Sequence, residues 1–161
     1  MKKILLFTII SISSIFGGLI HPPDESEVSY IHVMFHWEQV EGASEYNFEL
    51  STTNDFSSSL INTSTTKLYY IEKNNIDWQS SYYWRVRPEG GEWINTFNFS
   101  TGENAETWDD TSEGDDPQPP QILEYNPELA SEGITIFSSY HRNYSAAIDM
   151  NGKEVWNSGG A

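Results

Sequence analysis

The chain has 161 residues, of which 24 are acidic and 8 are basic, so its formal charge at pH 7 is −16. A surface this acidic repels phosphate, which excludes a basic nucleic-acid footprint and disfavours an anionic membrane surface. The sequence contains no cysteine, which excludes disulfides, thiolate nucleophiles and zinc–thiolate sites.

Residues 1–21 have the three-part layout of a secretory signal peptide. Two lysines follow Met1, an uncharged stretch runs from Ile4 to Phe16, and an acidic segment with two prolines begins soon after Gly18. The uncharged stretch is shorter than the about 20 residues that a transmembrane helix needs. A retained N-terminal anchor is the alternative. We predict a bacterial protein that is secreted or periplasmic, with no membrane contact after signal cleavage.

Residues 22–102 show the alternation of apolar and polar side chains that predicts short β-strands separated by turns. The predicted strands centre on Ile31 to Trp37, Tyr46 to Leu50, Leu60-Ile61, Leu68 to Ile71, Tyr82 to Val86, and Trp93 to Phe99. In the fifth of these, Arg85 and Arg87 are predicted to lie on the solvent side. Several short strands with regularly spaced turn signals indicate an all-β fold, and specifically a β-sandwich.

The same region resembles the fibronectin type III family. Trp37, followed by the segment 42–51, is similar to the B and C strands of that family, and Tyr82 corresponds to the tyrosine of its E–F corner. Trp93 and the ending Phe97-x-Phe99-x-Thr101 resemble its G strand. One departure is Trp78-Gln79, which replaces the Pro-Gly of the family. The resemblance implies an immunoglobulin-like sandwich over residues 22–102.

Residues 103–121 are predicted to form an acidic, proline-containing linker. Seven acidic residues and no basic residue lie between Glu103 and Asp116, and Pro117-Gln-Pro-Pro follows. Charge repulsion and proline stiffening favour an extended spacer. A calcium-binding loop is the alternative, but the spacing Asp-x-Asp/Asn-x-Asp/Asn-Gly is missing.

Residues 122–161 return to a strand pattern, with predicted strands at 133–137, 145–149 and 153–156. Asn151-Gly152 predicts a two-residue hairpin turn that places Ile148 opposite Val155. One hairpin is not stable by itself in water, so this segment needs a neighbouring sheet.

This tail resembles the opening of the arylsulfotransferase family. The resemblance is carried by Gly133-x-Thr-Ile-Phe and by Ala147-Ile-Asp-x-Asn-Gly-Lys-x-Val-Trp, although similar hairpins begin blades in quinoprotein-like propellers. The family implies a sandwich followed by a β-propeller whose first blade begins here. It also implies sulfate transfer between phenolic compounds through a histidine of the propeller, downstream of Ala161. The expected partner is therefore a propeller domain of the same parent protein.

Few residues are candidates for a site in the chain itself. Trp78, Tyr83 and Trp93 form a possible stacking platform for sugar rings; the alternative is that Trp93 packs inside while Tyr83 covers the sheet edge. His141 and Arg142 form a pair suited to an anionic sulfate; the alternative is an exposed loop.

No catalytic residues, metal site or cofactor are predicted. His32 and His36 share a strand face, but about 13 Å separates their Cα atoms, which is too far to chelate one metal ion. No acid–base pair or nucleophile motif stands out. We therefore expect a non-catalytic accessory sandwich. The alternative is an adhesion module that binds carbohydrate or protein, with no enzyme attached.

Overall fold

The computed structural model describes residues 18–104, 126, 128–129, 131–139 and 144–159. All regular secondary structure in these residues is β-strand. The strands are β1 (Leu19–His21), β2 (Ser26–Val28), β3 (Val33–Trp37), β4 (Tyr46–Ser51), β5 (Ser59–Thr65), β6 (Tyr69–Glu72), β7 (Ser81–Pro88), β8 (Thr96–Thr101), β9 (Thr135–Ser139), β10 (Tyr144–Ile148) and β11 (Glu154–Asn157). The predicted all-β class is confirmed.

The strands form three sheets. Sheet A has the order β1-β3-β6, sheet B has the order β2-β8-β7-β4-β5, and sheet C has the order β11-β10-β9. All neighbouring strands are antiparallel except β2 and β8, which are parallel. Sheets A and B pack face to face, because the ring of Phe35 on β3 lies 4.9 Å from that of Phe48 on β4 and 5.3 Å from that of Trp84 on β7.

The core of this sandwich follows from the alternation in the sequence. On and just before β3, Ile31, Val33, Phe35 and Trp37 are all fully buried, and the residues between them are at least partly exposed. A strand turns successive side chains to opposite faces, so one apolar side chain in every two is sufficient to fill the space between the sheets.

Sheet A begins upstream of residue 22, where the sequence predicted the sandwich to start. Leu19 on β1 is buried opposite Trp37, and His21 pairs with His36. Residues 19–21 therefore contribute a strand to the sandwich. Of the predicted signal peptide, residues 1–21, the first 17 lie outside the described residues.

The tail hairpin has a different register from the predicted one. Ile148 lies opposite Glu154 instead of Val155. The backbone N–H of Gly152 donates to the carbonyl oxygen of Asp149 at 3.1 Å, and Gly152 has a φ of 82°. This is a turn followed by a left-handed glycine, which makes the loop one residue longer. The prediction of a two-residue loop was wrong. Asn-Gly is compatible with a two-residue turn and also with the longer loop that ends in a left-handed glycine, so the dipeptide alone does not choose between them.

The tail packs against the sandwich. The N–H of Ile31 donates to the carbonyl oxygen of Val155, and the N–H of Asn157 donates to that of Ser29, each at 3.0 Å. Val155 and Ala147 are buried in the same apolar cluster as Ile31. The neighbouring sheet that the hairpin needs is therefore supplied by the sandwich. Most of the predicted linker, residues 105–121 of the range 103–121, lies outside the described residues.

Candidate functional site

The outer face of sheet B carries a connected group of charged and polar side chains. Arg85 and Arg87 on β7 point to this face, on the side of the sheet that the alternation predicted. Glu49 on β4 faces Arg85, and Asn47 faces Arg87. Ser64 on β5 extends the second of these rows beyond Asn47.

Aromatic rings and guanidinium groups alternate along this face. The Cζ atom of Arg85 lies 3.7 Å from the centre of the Phe56 ring and 4.1 Å from the centre of the Trp93 ring. The Cζ atom of Arg87 lies 4.4 Å from the centre of the same Trp93 ring. Because the two arginines are two residues apart on one strand, about 7 Å separates their Cα atoms. Both guanidinium groups are therefore close enough to the indole of Trp93 for cation–π attraction to stabilise them.

Glu49 neutralises Arg85. Its Oε2 accepts from Nη2 of Arg85 at 2.7 Å and from Nε at 2.8 Å, and its side chain is only 8% exposed. The other oxygen, Oε1, accepts from the Ser59 hydroxyl at 3.0 Å. A carboxylate so well provided with donors is a structural element of the face. Of the two arginines on this face, Arg87 is the one that has no ion pair with any described residue.

Asn47 organises the second row. Its Oδ1 accepts from Nε of Arg87 at 3.2 Å, and its Nδ2 donates to Oε2 of Glu89 at 2.8 Å and to Oγ of Ser64 at 2.9 Å. One amide thus fixes a cation, a carboxylate and a hydroxyl beside one another. We call Asn47, Ser64, Arg87 and Glu89 the Asn47 cluster. Within the described part of the chain, the terminal nitrogens of Arg87 have no hydrogen-bond acceptor.

A cleft of about 390 Å³ adjoins this cluster. It lies between the β3–β4 turn, which includes Gly42 and Ala43, and the end of β7 at Pro88 and Glu89. Glu89 therefore belongs to both the cleft wall and the Asn47 cluster. Its backbone N–H donates to the carbonyl oxygen of Glu45 at 2.9 Å, which holds this wall in place.

The β4–β5 loop delivers Phe56 to the stack with Arg85. Phe56 has a φ of 58°, in the left-handed region that side chains other than glycine rarely adopt, and its side chain is buried. Asp55 beside it accepts from the N–H and hydroxyl of Ser57 and from the hydroxyl of Thr53. These hydrogen bonds lower the pKa of Asp55 to about 2. The ionised carboxylate thus stabilises the loop conformation that Phe56 requires.

The three aromatic residues predicted as a sugar platform have different environments. Trp93 is engaged by the two arginines, and Tyr83 is partly exposed on the outer face of sheet B, opposite Ser51 and Asn98. Trp78 lies at the junction with the tail, where its indole nitrogen donates to the carbonyl oxygen of Glu154 at 3.1 Å. His141 and Arg142 lie outside the described residues.

The histidines of sheet A form a separate group. His21 and His36 pair across β1 and β3, and Nε2 of His21 shares a hydrogen bond of 2.7 Å with the hydroxyl of Tyr30. Burial, and then the neighbouring His36, lower the pKa of His21; burial raises the pKa of Tyr30. Among the described residues no three histidine or carboxylate side chains are placed to hold a metal ion.

Sequence reasoning missed Phe56, Glu49, Asn47 and Glu89 as members of this face. The alternation along β4 predicts that Asn47 and Glu49 lie on its polar side, so their presence on the outer face could have been found from the sequence. Which residues of β7 they face depends on strand pairing, and the position of Phe56 depends on the loop conformation. Neither is encoded in a local pattern.

Comparison with models of known protein families finds no match for this chain, and comparison with curated proteins finds no similar sequence. No helix among the described residues is long and apolar enough to cross a membrane.

Proposed function

We propose that this chain is a secreted, non-catalytic accessory module that holds the β-structure following it in a fixed orientation. In this proposal the sandwich is of the fibronectin type III kind, and the tail begins a propeller of the arylsulfotransferase kind. The module positions the propeller, and sulfate transfer belongs to the propeller. The sandwich itself carries no catalytic chemistry in this proposal.

The observation that carries the proposal is the junction between the sandwich and the tail. Backbone hydrogen bonds in both directions link residues 29–31 to β11, and Tyr30 pairs with Trp156 as an isolated bridge. Val155, only 2% exposed, lies in the sandwich core cluster. A flexible spacer alone would leave the orientation of the two parts free, whereas paired backbone and a shared core restrict it.

A second contact reinforces the junction. Asn157 is 1% exposed, and its Nδ2 donates to the carbonyl oxygen of Glu103 at 2.8 Å and to Oε1 of Glu154 at 2.7 Å. This amide ties the end of the sandwich to the end of β11. Because buried polar groups are costly to leave unpaired, sliding or lifting β11 is opposed at this point.

The hydroxyl of Tyr82 supports the fibronectin type III part of the proposal. It accepts from the backbone N–H of Asp77, five residues upstream, at 2.8 Å. A tyrosine at the start of a strand that bonds back to the preceding corner is a hallmark of immunoglobulin-like sandwiches. The sequence resemblance placed Tyr82 at that position.

The junction is tested by amide hydrogen exchange on the full 161-residue chain. The N–H groups of Ile31 and Asn157 should be protected, and Val155→Asp should abolish their protection while β4 and β7 stay protected. The matched control is Ile136→Asp, since Ile136 lies in the same sheet but is 67% exposed. Rapid exchange at Ile31 and Asn157 in the unmodified chain would contradict a fixed junction.

The propeller is tested by the gene itself. Further copies of Asp-x-Asn-Gly-x-x-Val-Trp downstream of codon 161 would support it, and an in-frame stop directly after that codon would contradict it. The parent protein should then transfer sulfate from p-nitrophenyl sulfate to phenol. If the parent protein has a propeller but does not transfer sulfate, the positioning role of the sandwich stands and the proposed sulfotransferase activity is contradicted.

A further inference from the structure

The first described residues of the chain are built into the sandwich. Leu19 on β1 is only 7% exposed and lies opposite Trp37, the last residue of β3. The residue before it, Gly18, is bonded in both directions to Glu38. The backbone N–H of Gly18 donates to Oε2 of Glu38 at 2.8 Å, and the backbone N–H of Glu38 donates to the carbonyl oxygen of Gly18 at 2.9 Å. The sandwich therefore uses the chain from Gly18 onward.

This start of the sandwich limits where a signal peptide can be removed. Signal peptides have about 15 to 30 residues and end in a small residue before the cleaved bond. In that range the small residues are Gly17, Gly18, Ser26 and Ser29. Cleavage after Ser26 or Ser29 would remove β1, and cleavage after Gly18 would remove both hydrogen bonds to Glu38. Cleavage after Gly17 leaves the sandwich intact.

We propose that the signal peptide is removed at the Gly17–Gly18 bond and that Glu38 receives the new N-terminus. This inference rests on the secreted character of the proposed function. Hydrolysis by a signal peptidase adds one water molecule across the amide and breaks its C–N bond. Gly17 leaves with the carboxylate, and the nitrogen of Gly18 becomes an α-ammonium group. Ile15, at the third position before the bond, is not small, so β1 identifies the bond and the local motif does not.

Cleavage changes the contact between Gly18 and Glu38 from a neutral hydrogen bond into an ion pair. The amide N–H of Gly18 donates to a carboxylate oxygen before cleavage. After cleavage the same nitrogen is positively charged at pH 7, since an α-amino group has an ordinary pKa of about 7.7 to 8.0. The separation of 2.8 Å is that of an ammonium–carboxylate hydrogen bond, about 2.7 to 2.9 Å. The carboxylate is therefore in place before the positive charge is created.

Strand pairing positions the two residues of this contact. Because Leu19 pairs with Trp37, Gly18 and Glu38 are the next neighbours along the two strands. A Cβ added at Gly18 would lie 3.5 Å from Oε2 of Glu38, an ordinary van der Waals contact, so the contact does not require glycine. Glu38 is exposed, so the ion pair adds little to stability and serves to fix the terminus.

The cleavage site is tested by mass spectrometry of the full chain exported from a bacterial host. The exported protein should begin at Gly18. Gly17→Leu should block cleavage because the bond then lacks its small residue, whereas the matched variant Gly18→Ala should be cut at the same bond. Export with cleavage at another bond overturns the inference and leaves secretion standing. A chain that is retained uncleaved in the cell contradicts both.

The role of Glu38 is tested on the exported protein by carbon NMR titration of the α-amino group. Its titration midpoint should be higher in the unmodified protein than in Glu38→Gln, because a nearby carboxylate favours the charged amine. Glu41→Gln removes an exposed carboxylate from the following turn and should titrate like the unmodified protein. Near-ultraviolet circular dichroism confirms folding of each variant. Equal midpoints with and without Glu38, or an equal decrease in the control, overturn the ion pair.

Discussion

Glu49 and Arg85 face each other on neighbouring strands of sheet B, with Oε2 and Nη2 only 2.7 Å apart. The guanidinium is also enclosed by the rings of Phe56 and Trp93. A largely desolvated ion pair of this kind organises the outer face of the sheet, because neither charge has an alternative partner of equal quality.

Removing one member of this pair should be costly. Glu49→Met should lower the free energy of unfolding by about 3 kcal/mol, since it leaves a charge without its partner between two rings. The double variant Glu49→Met/Arg85→Met should be less destabilised than the sum of the single variants. Urea unfolding of the three variants measures the coupling. Strictly additive effects would show that the two side chains are independent.

The hydroxyl of Tyr82 should contribute to stability through Asp77. Tyr82→Phe removes the acceptor of a backbone N–H at 2.8 Å, and we expect a loss of about 1.5 kcal/mol. Tyr83→Phe is the matched control, because the neighbouring tyrosine is partly exposed on the outer face. Thermal or urea unfolding compares the two. Equal stability of both variants would rule out a contribution from the corner hydrogen bond.

Glu72 should make the fold sensitive to acid. Burial acts to raise the pKa of Glu72, but the backbone N–H groups of Asn74 and Asn75, the Asn75 side chain and the N–H of Lys73 outweigh it and hold the pKa below its ordinary value of 4.5. The carboxylate therefore stabilises the folded state above pH 4.5, and this stabilisation is lost as the pH falls through the folded-state pKa.

The measurement for Glu72 is unfolding by urea as a function of pH. Glu72→Gln should be less stable than the unmodified chain at pH 7, by about 2 kcal/mol. The difference should shrink as the pH falls below 4.5 and through the lowered folded-state pKa of Glu72, because the unmodified carboxyl then becomes protonated as well. Glu92→Gln, at an exposed position, is the control. A difference independent of pH would mean that the charge of Glu72 is not the cause.

Gly152 should be required for the tail turn. At a φ of 82° an added Cβ is strained, so Gly152→Ala should cost about 1 kcal/mol and loosen the β10–β11 hairpin. Gly133→Ala is the control, because a Cβ there meets no atom within 4 Å. Hydrogen exchange at the amide of Asp149, which donates to the carbonyl oxygen of Lys153, reports on the hairpin. Unchanged exchange would argue against a strained turn.

Local patterns in the sequence determined which side of each strand is buried. The alternation through Ile31 to Trp37, and again through Tyr82 to Val86, predicted the inward residues because a strand turns successive side chains to opposite faces. The all-β class followed from the same pattern. The position of the tail turn was also determined locally, by Asn151-Gly152, but its register was not.

The tertiary structure decided which side chains face one another on neighbouring strands. The pairing of Glu49 with Arg85 and the sharing of Asn47 by Arg87 and Glu89 depend on strand register between distant segments. The contact of Val155 with the sandwich joins residues more than a hundred positions apart. Such contacts depend on long-range packing and strand pairing, so periodicity along the chain contains no information about them. The sequence alone therefore determined the faces of the sheets, and only the folded chain brought the residues of the candidate site together.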